Sequence, residues 1–269
     1  MTRDPWRASG LVSLLSDFGT SDPYVGAMKA VLWREARSLR AVVDLTHELP
    51  AHQGVSAASF FLSHTWGHFP AGTVHVAVVD PGVGTDRAIL VVRSEGHAFL
   101  APDNGLLDPI LASDARAEVR AADVERLGLT RGSCTFHGRD RFAHLAAMLV
   151  DGSEPRTLGA SHQFEPGRGE LFPSPRITEG AVHGEVLLAD RFGNLVTNVG
   201  PEHLPADGMR PWVRGREVPL VETYAKADDG ELVCLVDSYG LFELAVPNAS
   251  AAELLGAGPG TPVHFQRAG

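Results

Sequence analysis

Residues 73–105, TVHVAVVDPGVGTDRAILVVRSEGHAFLAPDNG, decide the fold. Three runs rich in β-branched residues, at 73–79, 88–93 and 97–100, each stop at Asp, Gly or Pro clusters, the pattern of short strands. Only the loop 80–87 joins the first run to the second. The second strand is therefore expected to run antiparallel to the first, with Asp80 at the exit and Arg87 at the re-entry of one turn, so that the two meet at one edge. Gly82 and Gly84 give that loop access to positive φ, which lets backbone approach a ligand closely. The second turn of this expected meander, SEGH, lies at the opposite edge and returns the chain so that Asn104 reaches the loop-rich side.

Working outward, LVSLL at 11–15 and AVV at 41–43 read as further strands, and 23–37 and 54–69 as helices. Val55, Ala58, Leu62, Trp66 and Phe69 share one face of the second helix. Strands alternating with helices predict an α/β domain with sandwich-like layers and a mostly parallel sheet. RFAHLAAMLV at 141–150 reads as another helix, with Asp140 placed to cap its start and His137 just before it. The Gly/Pro-rich stretch 152–180 breaks both periodicities, which puts a domain boundary near 178. Past it, VHGEVLLAD, LVTNV, ELVCLVD, LFELAV and TPVHFQ are strands joined by tight turns, with one short helix at 250–255. The expected organisation is an α/β domain over 1–178 and a smaller, β-barrel-like domain over 179–269.

The chain of 269 residues carries 23 Lys plus Arg against 33 Asp plus Glu, a formal charge of -10, with no basic run, so nucleic acid is not an expected partner. The first ten residues, MTRDPWRASG, hold no apolar stretch suited to a signal sequence, and no run of about 18 apolar residues occurs, so the expectation is a cytoplasmic protein without a membrane span. Cys134 and Cys234 lack CxxC spacing, which argues against a disulfide framework or a cysteine zinc site. His64 and His68 have the i, i+4 spacing of a zinc pair. No Glu follows the first, and both are expected on the solvated face, so no metal site is expected. GVGTDR lacks the third Gly and the following helix of a dinucleotide fingerprint, and no Walker loop or Gly-x-Ser-x-Gly elbow appears.

Ligands of open α/β sheets collect outside the carboxyl ends of the strands. Those ends here are SDFGTSD (Ser16, Asp17, Asp22), DLTH (Asp44, Thr46, His47), DPGVGTDR (Asp80, Asp86, Arg87) and APDNG (Asp103, Asn104). Any one of these acids is as readily a turn former that bonds nearby amides. Four such loops on one edge point to a site.

SDFGTSDPYVGAMKAVL, VVDLTHELP, VVDPGVGTDRA, APDNGLL, TFHGRDRFAH, DRFGNLVTNV and DSYGLFELAV followed by NAS resemble the successive motifs of the S-adenosyl-L-methionine hydroxide adenosyltransferases, hydrolase relatives of the bacterial fluorinating and chlorinating enzymes. The resemblance runs from residue 11 to about 252, in the family's order. It implies an N-terminal α/β domain, a C-terminal β-barrel-like domain, and a homotrimer with substrate held at subunit interfaces. It implies a hydrolytic triad at Asp80, Arg87 and His137, and a ribose-binding carboxylate at Asp17. Adenine and methionine contacts are implied at Asp190, Phe192, Asn194, Ser238, Tyr239, Glu243 and Ala249, and Asp22 and Asn104 join the candidate substrate-binding set. The small-molecule substrate would be S-adenosyl-L-methionine, with no cofactor. The fluorinating relatives carry Tyr in place of Asp80 and Ser in place of Gly138, which favours water over halide here. His52 stands where the family usually has an aromatic residue over the ribose.

The reaction implied is attack of water on the ribose carbon attached to the sulfonium. Methionine leaves as a neutral thioether, so no general acid is needed. Asp80 is expected to orient the water, Arg87 to fix the carboxylate, and His137 to complete the network or take the proton. Arg stabilises the charged carboxylate, so positioning should outweigh proton abstraction. A chloride-using halogenase, a non-catalytic adenosyl sensor and, more weakly, a metal-dependent phosphohydrolase remain as alternatives.

Overall fold

The computed structural model describes residues 4–49, 54–164, 172–205 and 208–267. The chain divides into two compact units, Met1–Leu171 and Phe172–Gly269. The expected boundary near 178 falls inside the second unit, because the short strand Arg176–Ile177 pairs with the strand that follows it.

The first unit is a seven-stranded sheet between helices. Its elements are β1 (Leu11–Ser16), α1 (Tyr24–Glu35), β2 (Ala41–Thr46), α2 (Gly54–Thr65), β3 (Val74–Val78), β4 (Ile89–Ser94), β5 (His97–Pro102), α3 (Asp108–Ser113), β6 (Glu118–Ala122), α4 (Ala143–Val150) and β7 (Gly159–Ser161). The strand order is β2-β1-β3-β5-β4-β6-β7. β2, β1, β3 and β5 pair in parallel, while β4, β6 and β7 are added antiparallel. β4 does run opposite to β3, as the short loop requires. The two are not neighbours as in a meander, because β5 inserts between them and pairs with both.

Side-chain alternation divides the core by sheet face. Val12, Leu14, Val74, Val76, Val91 and Leu100 face α1 and α4, whereas Leu15, Ala77, Leu90, Val92 and Phe99 face α2 and α3. Burial on both faces explains why these strands read as continuous apolar runs. α2 ends at Thr65, and a single 3-10 turn, Trp66–His68, completes the segment read as one helix. His64 is not solvated as expected. Its ring packs on Phe60 at 4.2 Å between centroids, and Nδ1 lies 2.9 Å from the Phe60 carbonyl.

The second unit contains β8 (Arg176–Ile177), β9 (Ala181–Ala189), β10 (Leu195–Thr197), β11 (Met209–Val213), β12 (Arg216–Glu217), β13 (Val233–Val236), β14 (Phe242–Ala245), α5 (Ala251–Leu255) and β15 (Pro262–Arg267). The main path is β12-β11-β15-β9-β10-β14-β13, antiparallel throughout, with β8 beside β9. This curled sheet wraps its own core of Val182, Leu195, Val213, Phe242, Leu244 and Phe265. Ser250 caps α5 by accepting from Glu253 N at 3.1 Å, and Gly256 ends it at φ 55.

Candidate active site

Because β1, β2, β3 and β5 are parallel, the loops after them share one edge. Asp80 follows β3 directly. Its Oδ1 accepts from Gly82 N at 3.1 Å and from Arg87 Nη1 at 3.0 Å, so the loop folds back onto the carboxylate that starts it. A Cβ at position 82 would overlap the Arg87 guanidinium, so glycine there is what makes room for the pair. Gly84 adopts φ 87, and a Cβ on it would lie 3.1 Å from the Cys134 carbonyl of the loop before α4. Asn104 donates from Nδ2 to the Val79 carbonyl at 2.8 Å, tying the exit of β5 to that of β3.

Asp17 follows β1. Partial burial raises the pKa of its carboxyl, opposed by a backbone hydrogen bond, and the negative charge of Asp80 raises it further. Asp22 is exposed before α1.

His137 precedes a single π turn, Gly138–Phe142, that runs into α4. Asp140 is not the helix cap expected from its position. It lies inside the π turn, where its carboxylate accepts from Ser133 N at 2.8 Å and pairs with Arg139, holding the preceding loop instead. His137 is buried, and its Nε2 has no hydrogen-bond partner among the described residues. Burial first, and then the positive charge of Arg141, lower its pKa below the ordinary histidine value, against the opposing pull of Asp80 and Asp140. The imidazole is therefore neutral at neutral pH.

Phe18, Tyr24 and Phe136 form an aromatic trio with centroids 5.2 to 6.1 Å apart. Gly138 packs beneath it, where a Cβ would lie 3.0 Å from Met28 Sδ and 3.1 Å from the Phe18 ring. The trio had no periodic signature, since its members come from three separate loops and helix ends. Position 52 lies outside the described residues.

In the second unit, a cleft of about 710 Å³ is lined by Phe192, Asn194, Tyr224, Val246, Asn248 and Ala249 among others. Asp190 builds the turn that presents Phe192. Its Oδ1 accepts from Phe192 N and Asn194 N, both at 2.8 Å. Phe192 is 77% exposed, which is unusual for a large aromatic ring. Ser238 and Tyr239 sit in a separate turn and do not line the cleft. Glu243 is buried on β14 and accepts from the Tyr224 hydroxyl at 2.6 Å. Burial pushes its pKa up to about 7. The Tyr224 bond opposes that shift, while Asp190 and Asp237 add to it. Tyr224 lies in ETYAKADDG, a stretch whose polar composition drew no assignment. No cluster of three or more His, Cys, Asp or Glu suited to a metal is present among the described residues, and no helix there is long and apolar enough to cross a membrane.

An α/β unit whose parallel-strand exits gather an acid–arginine pair beside a buried neutral histidine, followed by a β unit with an aromatic cleft, defines a class of two-domain small-molecule enzymes. Family models place this chain further. Residues 12–159 match the SAM hydroxide adenosyltransferase N-terminal domain and residues 184–264 the C-terminal domain of the same family. The chain belongs to the SAM hydroxide adenosyltransferase family. It is similar to the (R)-S-adenosyl-L-methionine hydrolases of Thermus thermophilus, at 41% identity over 94% of this chain and 98% of the relative, and of Salinispora arenicola, at 38% over 97% of each. A fluorinase from Actinopolyspora mzabensis is more distant, at 26% over 90% of this chain and 92% of the relative. Among solved structures, an uncharacterized conserved protein from Thermotoga maritima superposes with TM-score 0.85 and 32% identity, covering 95% of this chain and 100% of the other.

Proposed function

We propose that this chain hydrolyses S-adenosyl-L-methionine to adenosine and L-methionine by in-line attack of water on the ribose 5′ carbon. The observation that carries the reading is the Asp80–Arg87 pair at the exit of β3: both hydrogen bonds to the carboxylate fall on Oδ1, and Oδ2 is the oxygen that receives the water. The bond from water oxygen to carbon forms as the carbon–sulfur bond breaks, and sulfur keeps the electron pair as a neutral thioether. One proton leaves the water. His137 is suited to take it, because its buried Nε2 is unpaired among the described residues and its depressed pKa keeps it neutral. The rate gain comes from holding water in line and from surroundings that solvate the sulfonium less well than bulk water does.

Asp17 accepts the ribose hydroxyls, since one carboxylate can take two hydrogen bonds. Asn104, fixed to Val79, and Asp22 complete the polar lining of this edge. Phe192 stacks on adenine, Asn194 and the backbone at Ala249 bind its edge, and Asp190, Ser238, Tyr239 and Glu243 serve the methionine end. No cofactor or metal enters. Substrate binds at the interfaces of a homotrimer, a reading that rests on family resemblance. Mixing inactive Asp80→Ala and Phe192→Ala/Asn194→Ala subunits should restore activity in mixed trimers if each site draws on two chains. A halide nucleophile is disfavoured by the Asp80 charge and by the tight packing around Gly138.

The test is incubation with S-adenosyl-L-methionine in halide-free, chelator-containing oxygen-18 water, read by mass spectrometry. The expected products are equimolar methionine and adenosine labelled at its 5′ hydroxyl, lost in Asp80→Ala. Bound substrate with no product would support a sensor instead.

A further inference from the structure

The loop that carries Asp17 is held by a chain of polar groups, buried at Ser16 and His47 and running out to the exposed Asp44 and to Lys29, that the proposed reaction does not use. β1 and β2 pair in parallel register up to Leu14 opposite Asp44, and then the register shifts so that Leu15 lies opposite Thr46. The extra residue, Leu45, is a bulge that swings the following His47 over the end of β1. There His47 Nδ1 lies 2.7 Å from Ser16 Oγ and Nε2 lies 3.1 Å from Asp44 Oδ1. Asp44 Oδ2 takes Lys29 Nζ at 2.5 Å. The backbone carbonyl of His47 accepts from Gly19 N at 2.8 Å, and Ser16 Oγ accepts from Phe18 N at 3.4 Å.

His47 Nδ1 is paired with the Ser16 hydroxyl at 2.7 Å, whereas Nε2 faces the Asp44 carboxylate at ion-pair distance without hydrogen-bond geometry. Ser16 is 1% exposed and its oxygen is committed to two bonds, so the pair is structural and not nucleophilic. Its effect is on its neighbours. Both residues flanking Asp17 are tied to His47 or to Ser16, while Asp17 itself faces the like charge of Asp80.

We propose that His47 is a positioning residue that holds Asp17 against repulsion from Asp80, and thereby sets recognition of the ribose diol. This rests on the ribose-binding role of Asp17 in the function proposed above. An Asn at 47 can place an amide near the Nδ1 position and keep the Ser16 bond. A Gln reaches only the Nε2 position and loses it.

The experiment compares the full-length protein with His47→Asn, His47→Gln, Ser16→Ala and Asp17→Asn. It measures binding of adenosine and of 2′,3′-dideoxyadenosine by calorimetry, turnover of S-adenosyl-L-methionine, and melting temperature. Two hydrogen bonds to a carboxylate should favour adenosine at least about tenfold in the unaltered protein. The preference should fall to about threefold or less in His47→Gln and Ser16→Ala, as in Asp17→Asn, and persist in His47→Asn. His47→Gln combined with Asp17→Asn should be no worse than Asp17→Asn alone. The proposal is overturned if His47→Gln keeps the diol preference, or if Asn and Gln lose it equally in step with a fall in melting temperature. If His47→Gln does not fold, Ser16→Ala decides alone. Failure of the unaltered protein to bind adenosine or turn over substrate would instead overturn the functional reading on which the proposal rests.

Discussion

Gly82 shows how a residue without a side chain can control a site. Its absent Cβ leaves the space that the Arg87 guanidinium fills on its way to Asp80. Gly82→Ala is therefore expected to displace Arg87 and lower kcat between about 10- and 100-fold. The melting temperature should barely change, because the loop is largely exposed. Steady-state kinetics beside a thermal melt checks both. His137 offers a second test. Arg141 is one cause of its lowered pKa, so Arg141→Gln should raise that pKa. If neutral His137 takes the proton, the acid limb of the kcat profile lies below the ordinary histidine range and moves to higher pH in Arg141→Gln. An unmoved limb would remove His137 from proton transfer. Strand ends and turns mark the positions of Asp80, Arg87 and His137, but their selection as a triad comes from the family resemblance. Ser16 and His47 were visible only as polar residues near strand exits. Their bond depends on the bulge at Leu45, and a one-residue register shift leaves no trace in composition.

Two turns in the second unit are built alike. DRFGN at 190–194 joins β9 to β10, and DSYGL at 237–241 joins β13 to β14. In each, the Asp N donates to the carbonyl four residues on, Oδ1 accepts from the second and fourth following amides, and glycine takes φ near 82. They differ in surroundings. A Cβ on Gly193 would overlap Ser250, whereas one on Gly240 meets nothing within 4 Å. Gly240→Ala should cost about 1 kcal/mol for its backbone conformation alone, and Gly193→Ala more, as read by urea midpoints. Phe192→Ala removes a ring that is 77% exposed, so stability should hold while KM for S-adenosyl-L-methionine rises about five- to tenfold. An unchanged KM would show that the ring does not stack on substrate. The turn chemistry was legible because Asp and Gly stand at fixed offsets. The β11–β12 hairpin was not. Pro211 argues against a strand, and only the Arg214–Gly215 pair, both at positive φ, marks its turn.

Across the whole chain, the two units carry buried titratable groups that respond to pH with opposite sign. In the first unit, His75 is buried between Ser13 and His97, with Nδ1 2.7 Å from Ser13 Oγ, and packs on Phe99 at 4.8 Å. Burial, then the charge of His97, bring its pKa down from 6.5 to about 3. The unfolded chain holds the extra proton between those values, so this group's contribution is full above 6.5 and lost as pH falls toward 3. In the second unit, Glu243 has a pKa raised from 4.5 to about 7, so the folded state holds the extra proton, and its contribution is full below 4.5 and lost as pH rises through 7. Each has a limiting slope of about 1.4 kcal/mol per pH unit. Between 4.5 and 6.5 the two oppose each other, while the lowered pKa values of His97, His137 and His264 add to the His75 slope. Carboxylates with lowered pKa, such as Asp114 and Asp151, contribute their loss only below 3.8. Urea midpoints should thus fall from pH 6.5 to 4.5 in the unaltered protein, less steeply than the histidines alone would give. In His75→Gln the Glu243 slope is opposed by one histidine fewer, so the rise of stability with pH should be shallower than in the parent. In Glu243→Gln the histidine slopes are left without that opposition, so the rise should be steeper. If both variants kept the profile of the parent, neither buried group would be titrating with folding, and the compensation between the units would be ruled out.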